Sequence, residues 1–314
     1  PVSSDTTPPT PAPANEWNVR KVLEWTTSHL KKHGSDTPRL DAEILLAKAR
    51  GCQRIQLYTA YDEPLTDAIR ATMRDLVQRR AQAEPVAYLV GHREFFSLDF
   101  RVTRDVLIPR PDTETLVIEI TDAIKQLAAA RSEAGDSTTP IRVLDLCTGS
   151  GCVAISVAKH CQTAKLNVQV VATDISPAAL EIARENAAKH GVAGLVEFHA
   201  GDLFAALTAV DRFDIIASNP PYIPSAEIET LDPEVAKHEP RLALDGGPSG
   251  FDVIDRLTAM APAHAAAGSV FLMELSPEQA EPASQRLAAL GKYTDISVRK
   301  DLANRPRVLR AKFQ

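Results

Sequence analysis

The sequence predicts an α/β protein, in which a small helical domain and a β-hairpin precede a doubly wound, mostly parallel sheet of seven strands. Three observations support this prediction. After residue 140, short apolar runs alternate with helical segments, as in sheets with helices on both faces. From residue 17 to 83, apolar residues recur with helical periodicity. Between these regions, the stretch AYLVGHREFFSLDFRVTRDVLIP alternates apolar and polar residues as hairpin strands do.

Seven apolar runs provide the strands of the predicted sheet. They are residues 141–147, 168–174, 196–202, 213–219, 269–275, 295–301 and 307–313. Between the second and third runs, Ser176 and Gly191 provide the start and stop signals of a helix. The last two runs follow each other so closely that we expect an antiparallel hairpin at one edge of the sheet.

The amino-terminal helices are predicted from their apolar faces and end signals. Trp17 and Trp25 are expected on the buried face of the first helix, the second helix stops at Gly51, and Thr66 caps another. The QRR stretch at 78–80 is expected to be a solvated helix face. These helices together predict a small bundle.

Changes in composition divide the chain into four parts. Residues 1–15 are rich in Pro, Ser and Thr, and we expect a disordered tail because they cannot bury enough apolar surface to offset the entropy of ordering. Residues 16–90 form the helical domain, 91–110 the hairpin linker and 111–314 the α/β domain. Within the last part, residues 223–251 lack periodicity and predict a lid, with a plain surface excursion as the alternative.

Composition limits the classes of function. The 314 residues carry a net charge of −6, which argues against nucleic-acid binding through a broad basic surface. No apolar run approaches the ~20 residues of a membrane span, and none near the start resembles a signal peptide. Pro1 in place of an initiator Met indicates a trimmed or tagged chain. The four cysteines lack paired metal-ligand spacing, so we expect no metal site and a reducing, cytoplasmic environment.

The segment VLDLCTGSGCVAISVAKH, residues 143–160, reads as a strand, a glycine-bearing turn and a helix. Gly149 and Gly151 allow the backbone to turn tightly and to approach a ligand without Cβ clashes. Such turns also serve dinucleotides, and a tight turn with no ligand is a further alternative.

Three carboxylates narrow these alternatives. Asp145, Asp174 and Asp202 end the first three strands, and the carboxyl ends of adjacent strands line one crevice in a doubly wound sheet. Asp174 can accept both ribose hydroxyls, Asp202 can reach an adenine amine, and Asp145 can attract an ammonium or sulfonium charge. Asp145 would repel a pyrophosphate, so the set favours S-adenosylmethionine over NAD. For any single Asp, a solvated strand end is the alternative.

The fourth strand ends in IIASNPPYIP, residues 215–224. Prolines cannot donate to a ladder, so the sheet stops at Asn219 and exposes backbone carbonyls. The Asn219 side-chain oxygen and the Pro220 carbonyl can each accept one N–H of a planar amino group, whose remaining lobe then faces a methyl carbon. Tyr222 can stack on that group. The pattern predicts methylation of a planar nitrogen, and a strand end capped by Pro220 and Pro221 is the alternative.

Seven segments together resemble one known family. They are RLDAEILLA (39–47), EPVAYLVGHREFFSLDF (84–100), VLIPRPDTETLV (106–117), VLDLCTGSG (143–151), NPPYI (219–223), EPRLALDGGPSG (239–250) and DLANRPRV (301–308). The chain resembles the protein-(glutamine-N5) methyltransferases that modify peptide chain release factors, the HemK/PrmC family. The combination of IPRPDTE with NPPY is specific, because adenine methyltransferases share only the second motif.

The resemblance implies a class I methyltransferase-like fold, in which residues 111–314 bind S-adenosylmethionine and residues 16–90 help to dock a release factor. The implied reaction methylates N5 of the glutamine in the Gly-Gly-Gln motif, supports translation termination and leaves S-adenosylhomocysteine. The predicted clamp residues are Asn219, Pro220, Pro221 and Tyr222. The predicted cofactor residues are Asp145, Cys147, Thr148, Gly149, Ser150, Gly151, Asp174, Asp202, Leu203 and Asn219. Further candidates are Phe100, for which core packing is the alternative, Arg110, for which a salt bridge is the alternative, and Thr113.

The sequence departs from the family pattern at four places. Cys147 stands where the family has Gly, and its Cβ is expected to narrow the loop beside the methionine part of the cofactor. Leu203 replaces an aromatic residue of some relatives, and an aliphatic face can still pack on adenine. ELSPEQ, residues 274–279, replaces E-x-G-x-x-Q, and Asn304 replaces Gly. Both lie away from the clamp in sequence, and we expect altered local turns with activity retained.

Alternative functions share parts of this pattern. The preferred hypothesis is a monomeric methyltransferase acting on release factors, with no membrane or stable nucleic-acid partner. An adenine N6-methyltransferase on DNA or RNA would use the same clamp, but it would need a flipped base and phosphate-binding cations. A non-catalytic binding protein is a further alternative, but the chain keeps every clamp residue, and a protein that only binds would not require them all. For an NAD oxidoreductase, no evident hydride-relay pair accompanies the glycine turn.

Overall fold

The computed structural model of the chain describes residues 17–136 and 138–314. The predicted tail, residues 1–15, lies outside the described residues. The chain divides into two compact units, of which the first ends at Val90 and the second begins at Gly91.

The first unit is helical, as the periodicity predicts. Its helices are α1 (Val19–Lys32), α2 (Pro38–Arg50), α3 (Gln56–Thr59), α4 (Asp67–Ala81) and α5 (Val86–Val90). The end signals act as predicted. Thr66 accepts a hydrogen bond from the Ile69 N–H at 3.3 Å, and Gly51 ends α2 in the left-handed conformation with φ of 64°. The core of this unit is built mainly from leucines, among them Leu23, Leu30, Leu45, Leu46 and Leu57.

Two expectations for the helical unit are wrong. Trp25 is 48% exposed and stacks on the ring of His29 with centroids 4.9 Å apart, and Trp17 is also exposed. Arg80, in the stretch expected to be a solvated face, is buried, and its Nε donates to Asp41 Oδ2 at 2.8 Å. A charged side chain is buried here because its partner of opposite charge is buried with it.

The second unit is an α/β domain. Its strands are β1 (His92–Phe95), β2 (Leu98–Arg101), β3 (Ile141–Leu146), β4 (Val168–Asp174), β5 (Val196–Ala200), β6 (Phe213–Ser218), β7 (Ala265–Glu274), β8 (Tyr293–Lys300) and β9 (Pro306–Phe313). Its helices are α6 (Glu114–Glu133), α7 (Cys152–Ala164), α8 (Pro177–Lys189), α9 (Pro233–His238), α10 (Asp252–Met260) and α11 (Ala280–Leu290). Among the described residues, no helix combines the length and the apolar character that crossing a bilayer requires.

The seven-stranded sheet confirms the predicted fold class. The strand order is β5-β4-β3-β6-β7-β9-β8. Neighbours from β5 to β7 run parallel, while β9 is antiparallel to β7 and β8 to β9, which confirms the predicted hairpin at one edge. The chain reverses its direction of progress across the sheet between β3 and β6. In such sheets, ligands bind outside the carboxyl ends of the strands at this switch point.

The hairpin predicted for residues 91–110 is formed by β1 and β2, and it lies within the second unit. Phe95 and Phe100 are fully buried in the core on one face of the large sheet, with their rings edge to face at 6.0 Å. The opposite face packs on a second core that includes Phe213, Phe271 and Phe313. Both faces are therefore covered, as the continuous apolar strands require.

Candidate active site

A cavity of about 240 Å³ opens at the carboxyl ends of β3 and β4, and we call it the cofactor cavity. Most of the predicted cofactor residues line it. These are Asp145, Cys147, Thr148, Gly149, Ser150, Asp174, Asp202, Leu203 and Asn219. Arg110, Thr113 and Pro221 line it as well. The structure thus gathers at one place residues that are spread over more than a hundred positions of the sequence.

The glycine loop between β3 and α7 shapes one wall of this cavity. Gly149 has φ of 56°, and a Cβ there would meet no heavy atom within 4 Å, so the loop leaves open space for a ligand. Gly151 packs α7 against α8, because a Cβ there would lie 2.8 Å from Ile155 Cδ1 and 3.1 Å from Ala183 Cβ. The two glycines therefore serve different purposes, room for a ligand and close packing of helices.

Cys147 replaces the family's Gly at a position that favours glycine. Its φ is 60°, in the left-handed region, where an L side chain is strained. Burial raises the pKa of its thiol to about 12, so the sulfur is a packed, protonated group rather than a nucleophile.

The three predicted acids have different surroundings. Asp145 is buried, burial raises its pKa to about 7, and it accepts a hydrogen bond from Thr148 Oγ1 at 2.6 Å. Asp174 accepts the N–H of Gly149 at 2.8 Å and that of Ser176 at 2.9 Å, while burial raises its pKa. These two acids are therefore integrated into the glycine loop and are not solvated strand ends.

Asp202 lies near the surface, where its carboxylate pairs with Arg256 Nη2 at 2.6 Å. Arg256 also lines the cofactor cavity, and the sequence analysis missed it. Leu203 follows with φ of 52°, and its carbonyl accepts a hydrogen bond from Thr173 Oγ1 at 3.2 Å. This backbone contact fixes the buried Leu203 side chain at the cavity wall.

The chemistry of this cavity fits S-adenosylmethionine. Carboxylate oxygens on Asp174 and Asp202 suit ribose hydroxyls and an adenine amine, and Leu203 offers an apolar surface for a base. The remaining acid, Asp145, suits a cationic ligand and disfavours a pyrophosphate. The open space beside Gly149 lets the backbone approach such a ligand closely.

A second cavity, of about 200 Å³, lies next to the first, and we call it the target cavity. Its lining comes from distant segments, namely Leu107, Arg110, Asn219, Pro220, Tyr222, Ile223, Leu231, Val235, Ala243, Leu244 and Glu274. Asn219 and Arg110 line both cavities. The predicted clamp residue Asn219 therefore stands between the two.

The amide of Asn219 is held from its nitrogen side. Its Nδ2 donates to Thr113 Oγ1 at 3.2 Å, and Thr113 is buried. The ladders from β6 to β3 and β7 stop at Ser218, so the backbone of Pro220 is outside the sheet. Tyr222 lines the target cavity with its ring half-buried, and burial raises the pKa of its hydroxyl.

Residues 274–279 are far from the clamp in sequence, but they lie next to it in the folded chain. Gln279 Nε2 donates to the Tyr222 carbonyl at 2.9 Å and to the Gly250 carbonyl at 3.1 Å. It thereby fixes the backbone that follows the two prolines. Asn304, the other departure from the family pattern, has φ of 62°, a conformation that Asn tolerates better than most side chains.

The segment expected to be a lid, residues 223–251, supplies Leu231, Val235 and Leu244 to the target cavity. Glu239, which is buried, secures it by accepting hydrogen bonds from the Ile108 N–H at 3.1 Å and from Arg110. Arg110 therefore forms a salt bridge, the alternative left open for it, while also lining both cavities. Opening of the segment stays a prediction.

Some residues depart from expectation. Phe100 lies in the core against Phe95, and it lines neither the cofactor cavity nor the target cavity. Glu274 was missed, although it ends β7 as Asp174 ends β4. The signal that identifies Glu274 is the same as for Asp174, an acidic residue at the carboxyl end of an apolar strand.

Comparisons with known proteins agree with this geometry. Residues 21–91 match a family model described as PrmC N-terminal domain, and residues 137–244 match one described as Methyltransferase domain. The hMettl16 catalytic domain, solved in complex with the MAT2A 3′UTR hairpin 6, has a TM-score of 0.54 and 13% identity, covering 74% of this chain and 81% of that chain. That likeness shows the fold alone.

The sheet topology, the glycine loop and the matched domain define a methyltransferase of class I fold that uses S-adenosylmethionine. A protein of Rhodopirellula baltica named release factor glutamine methyltransferase is 44% identical over 293 residues, covering 93% of this chain and 95% of that protein. A protein of the same name from Geobacter sulfurreducens is 43% identical over 265 residues, covering 84% and 86%. The chain belongs to the release factor glutamine methyltransferase family.

Proposed function

We propose that this chain transfers the methyl group of S-adenosylmethionine to N5, the side-chain amide nitrogen, of the glutamine in the Gly-Gly-Gln motif of peptide chain release factors. The observation that carries the proposal is the position of Asn219, which lines both cavities and is held through its amide nitrogen. The name of the relatives favours a glutamine over an adenine as the target.

The cofactor would be held by the glycine loop, by Asp174 and Asp202, and by the apolar side chain of Leu203. When bound there, S-adenosylmethionine supplies an electrophilic methyl carbon on its sulfonium. The carboxyl group of Asp145 lies next to the glycine loop, where it favours a ligand that carries positive charge.

The clamp overcomes the weak nucleophilicity of an amide nitrogen, whose lone pair is delocalised into the carbonyl. Asn219 Oδ1 and the Pro220 carbonyl each accept one N–H of the target, so that the remaining lobe of the nitrogen is oriented for transfer. Both acceptors are neutral dipoles that are fixed before the reaction, and they stabilise the positive charge that develops on the nitrogen.

Tyr222 positions the target group in the second cavity. Its ring can stack on the planar amide and fix the tilt of the amide relative to Asn219. Burial raises the pKa of the Tyr222 hydroxyl, so the phenol stays neutral and the ring rather than a phenolate performs this task.

The helical unit is proposed to dock the release factor. It exposes large apolar side chains, among them Trp25, Ile55 and Tyr58, which suit a protein surface. We propose that the enzyme works in the cytoplasm as a monomer. The net charge of −6 supports a protein partner over a stable nucleic-acid partner.

The proposal is tested by incubating the protein with a release factor and S-adenosylmethionine that carries a labelled methyl group. We expect label in the Gly-Gly-Gln peptide, and no label when that glutamine is replaced by alanine. In the enzyme, Asn219→Ala should lower kcat roughly 10²–10³-fold, by analogy with the loss of one preorganised donor or acceptor. Asn167→Ala, the same change at an exposed position before the amino end of β4 and outside both cavity linings, is the control variant, with activity close to that of the parent.

Two outcomes would contradict the proposal. Label that persists in the Gln→Ala release factor would refute the target residue. Transfer to naked DNA or RNA at a rate that matches or exceeds transfer to the release factor would support an adenine target instead.

A further inference from the structure

The target cavity contains a buried carboxyl group that the clamp does not explain. Glu274 ends β7 directly beside the end of β6, because Met273 pairs with Ser218, and it is 2% exposed. It lines the target cavity, and among the described residues its Oε2 has no hydrogen-bond partner. An unpaired carboxyl oxygen in this position destabilises the fold, so its presence points to a role in the site.

The surroundings of Glu274 connect it to Asn219. Burial raises its pKa to about 7, while the neighbouring side chain of Thr113, the positive charge of Arg307 and the neighbouring side chain of Asn219 lower it. Asn219 Nδ2 also donates to Thr113 Oγ1. The three side chains of Glu274, Thr113 and Asn219 therefore form one buried group at the edge of the cavity.

The carboxylate of Glu274 restricts the orientation of the Asn219 amide, because a carboxylate can only accept hydrogen bonds. The side of the amide that faces Glu274 must therefore be the nitrogen, and the oxygen must turn away from it. Without the carboxylate, Thr113 could either donate to or accept from the amide, and the two orientations would be similar in energy. If the Asn219 amide were rotated by half a turn, its N–H groups would face the N–H groups of the target, and no hydrogen bond could form between them.

We infer that Glu274 is a positioning residue, which together with Thr113 fixes the Asn219 amide so that Oδ1 faces the target nitrogen. The inference rests on the proposed function of Asn219 as a clamp. It assigns Glu274 no contact with the reacting atoms, and it predicts that Glu274 acts through Asn219 alone.

The inference predicts the direction of a pH effect. The ionised carboxylate holds the amide in the productive orientation, whereas the protonated form can donate to Asn219 Oδ1 and favour the opposite one. Methyl transfer should therefore decline as pH falls through the pKa of Glu274. The charged and titratable groups facing Glu274 are Arg307 on β9, Asp112 before α6, Tyr222 after β6 and the Cys152 thiol at the start of α7, with Arg110 further along the cavity wall.

The kinetic test compares Glu274→Gln, which keeps the shape and one acceptor, with Glu274→Met, which keeps neither charge nor acceptor. We expect Glu274→Met to lower kcat about tenfold, the factor that corresponds to losing one hydrogen bond to a charged group, and Glu274→Gln to fall between it and the parent. The Kd for S-adenosylmethionine should stay at the parental value, and the Tm should not fall, because both variants remove a carboxyl group whose burial destabilises the fold. With S-adenosylmethionine at a saturating concentration, so that protonation of Asp145 does not limit cofactor binding, the decline of kcat at acid pH should disappear in both variants.

The dependence on Asn219 is tested in a double-mutant cycle. In an Asn219→Ala background, Glu274→Met should cause no further loss, because the amide that it positions is absent. A further tenfold loss in that background would overturn the inference. So would a parental kcat in Glu274→Met, or a loss that follows weaker cofactor binding or a lower Tm.

A measurement without substrate separates this inference from the proposed function. With 15N-asparagine labelling, the side-chain NH₂ signal of Asn219, assigned as the signal missing from Asn219→Ala, should titrate near neutral pH in the parent and not in Glu274→Gln. Asp145, whose pKa burial also raises to about 7, is unchanged in both proteins, so its effect on the signal is common to both and the difference between them reports Glu274. A signal that titrates equally in both proteins would overturn the inference. If the parent methylates no release factor but this titration is seen, the proposed function fails and the inference stands.

Discussion

The two cavities that meet at Asn219 are built in different ways. The cofactor cavity is organised by one continuous segment, from Asp145 at the end of β3 to Gly151 at the start of α7, with Asp174 bonded to the loop between them. The target cavity contains the continuous clamp segment 219–223, but side chains from distant segments complete it. Its contacts join residues more than a hundred positions apart, as between Thr113 and Asn219 and between Arg110 and Glu239.

This difference has a consequence for how the residues act. In the cofactor cavity Asp145 and Asp174 form hydrogen bonds with the glycine loop itself, so a substitution of either should change mainly cofactor affinity. In the target cavity the side chains hold one another, with Gln279 on the Tyr222 backbone and Thr113 and Glu274 on the Asn219 amide. Substitutions there should change the rate of transfer and should combine non-additively.

The largest effect on cofactor binding is expected for Asp174→Ala, which should raise the Kd for S-adenosylmethionine about 100-fold. The loss of the proposed acceptor for ribose accounts for this factor, because one hydrogen bond to a charged group contributes about 1.5–3 kcal/mol, or roughly 10–150-fold in Kd. The Gly149 N–H loses its acceptor with and without cofactor, so that loss contributes little to the difference. Isothermal titration calorimetry measures the change. Asp174→Asn, which keeps the shape and one oxygen, should give an intermediate value.

The separation of the two cavities would be contradicted by a different pattern. An Asp174→Ala protein that binds cofactor as tightly as the parent, yet no longer methylates a release factor, would mean that Asp174 serves the target cavity instead.

The same difference explains which parts of the molecule could be predicted from the sequence. The strand positions, the capping of α4 by Thr66 and the glycine loop depend on neighbours within a few residues, and their patterns are complete in short segments. The acids at the ends of strands are also found this way, because parallel strands place their carboxyl ends at one edge.

Contacts between distant segments could not be predicted in this way. Gln279 lies 57 residues from the Tyr222 carbonyl that it bonds, and Arg80 lies 39 residues from Asp41. A local pattern shows that Arg80 is charged, but burial depends on whether a partner of opposite charge meets it in the folded chain. Glu274 is an intermediate case, since its position at a strand end is local and its contact with Asn219 is not.

A smaller effect, confined to the target cavity, is expected at Tyr222. Tyr222→Leu should lower kcat/KM for a release factor about 3–10-fold, the range that corresponds to losing an aromatic stacking contact. The Kd for S-adenosylmethionine should not change. Tyr222→Phe is the matched control and should stay near the parent, because the hydroxyl is neutral and only the ring is proposed to act. Equal losses in both variants would instead assign the role to the hydroxyl.

The smallest effect is expected at Cys147, in the loop of the cofactor cavity. Cys147→Gly and Cys147→Ala both lose the packing of the thiol, so the difference between them reports the backbone. Because a φ of 60° strains an L residue by about 1–2 kcal/mol, the free energy of unfolding of Cys147→Gly should exceed that of Cys147→Ala by about 0.5–1 kcal/mol, after the greater chain entropy of Gly is subtracted. Denaturant or thermal unfolding measures this. Cys147→Ala removes the thiol but keeps the strained Cβ, so it retains the strain. Equal free energies of unfolding for Cys147→Gly and Cys147→Ala would mean that the backbone at position 147 is not strained. The loop that binds the cofactor would then not be held in a conformation that favours glycine.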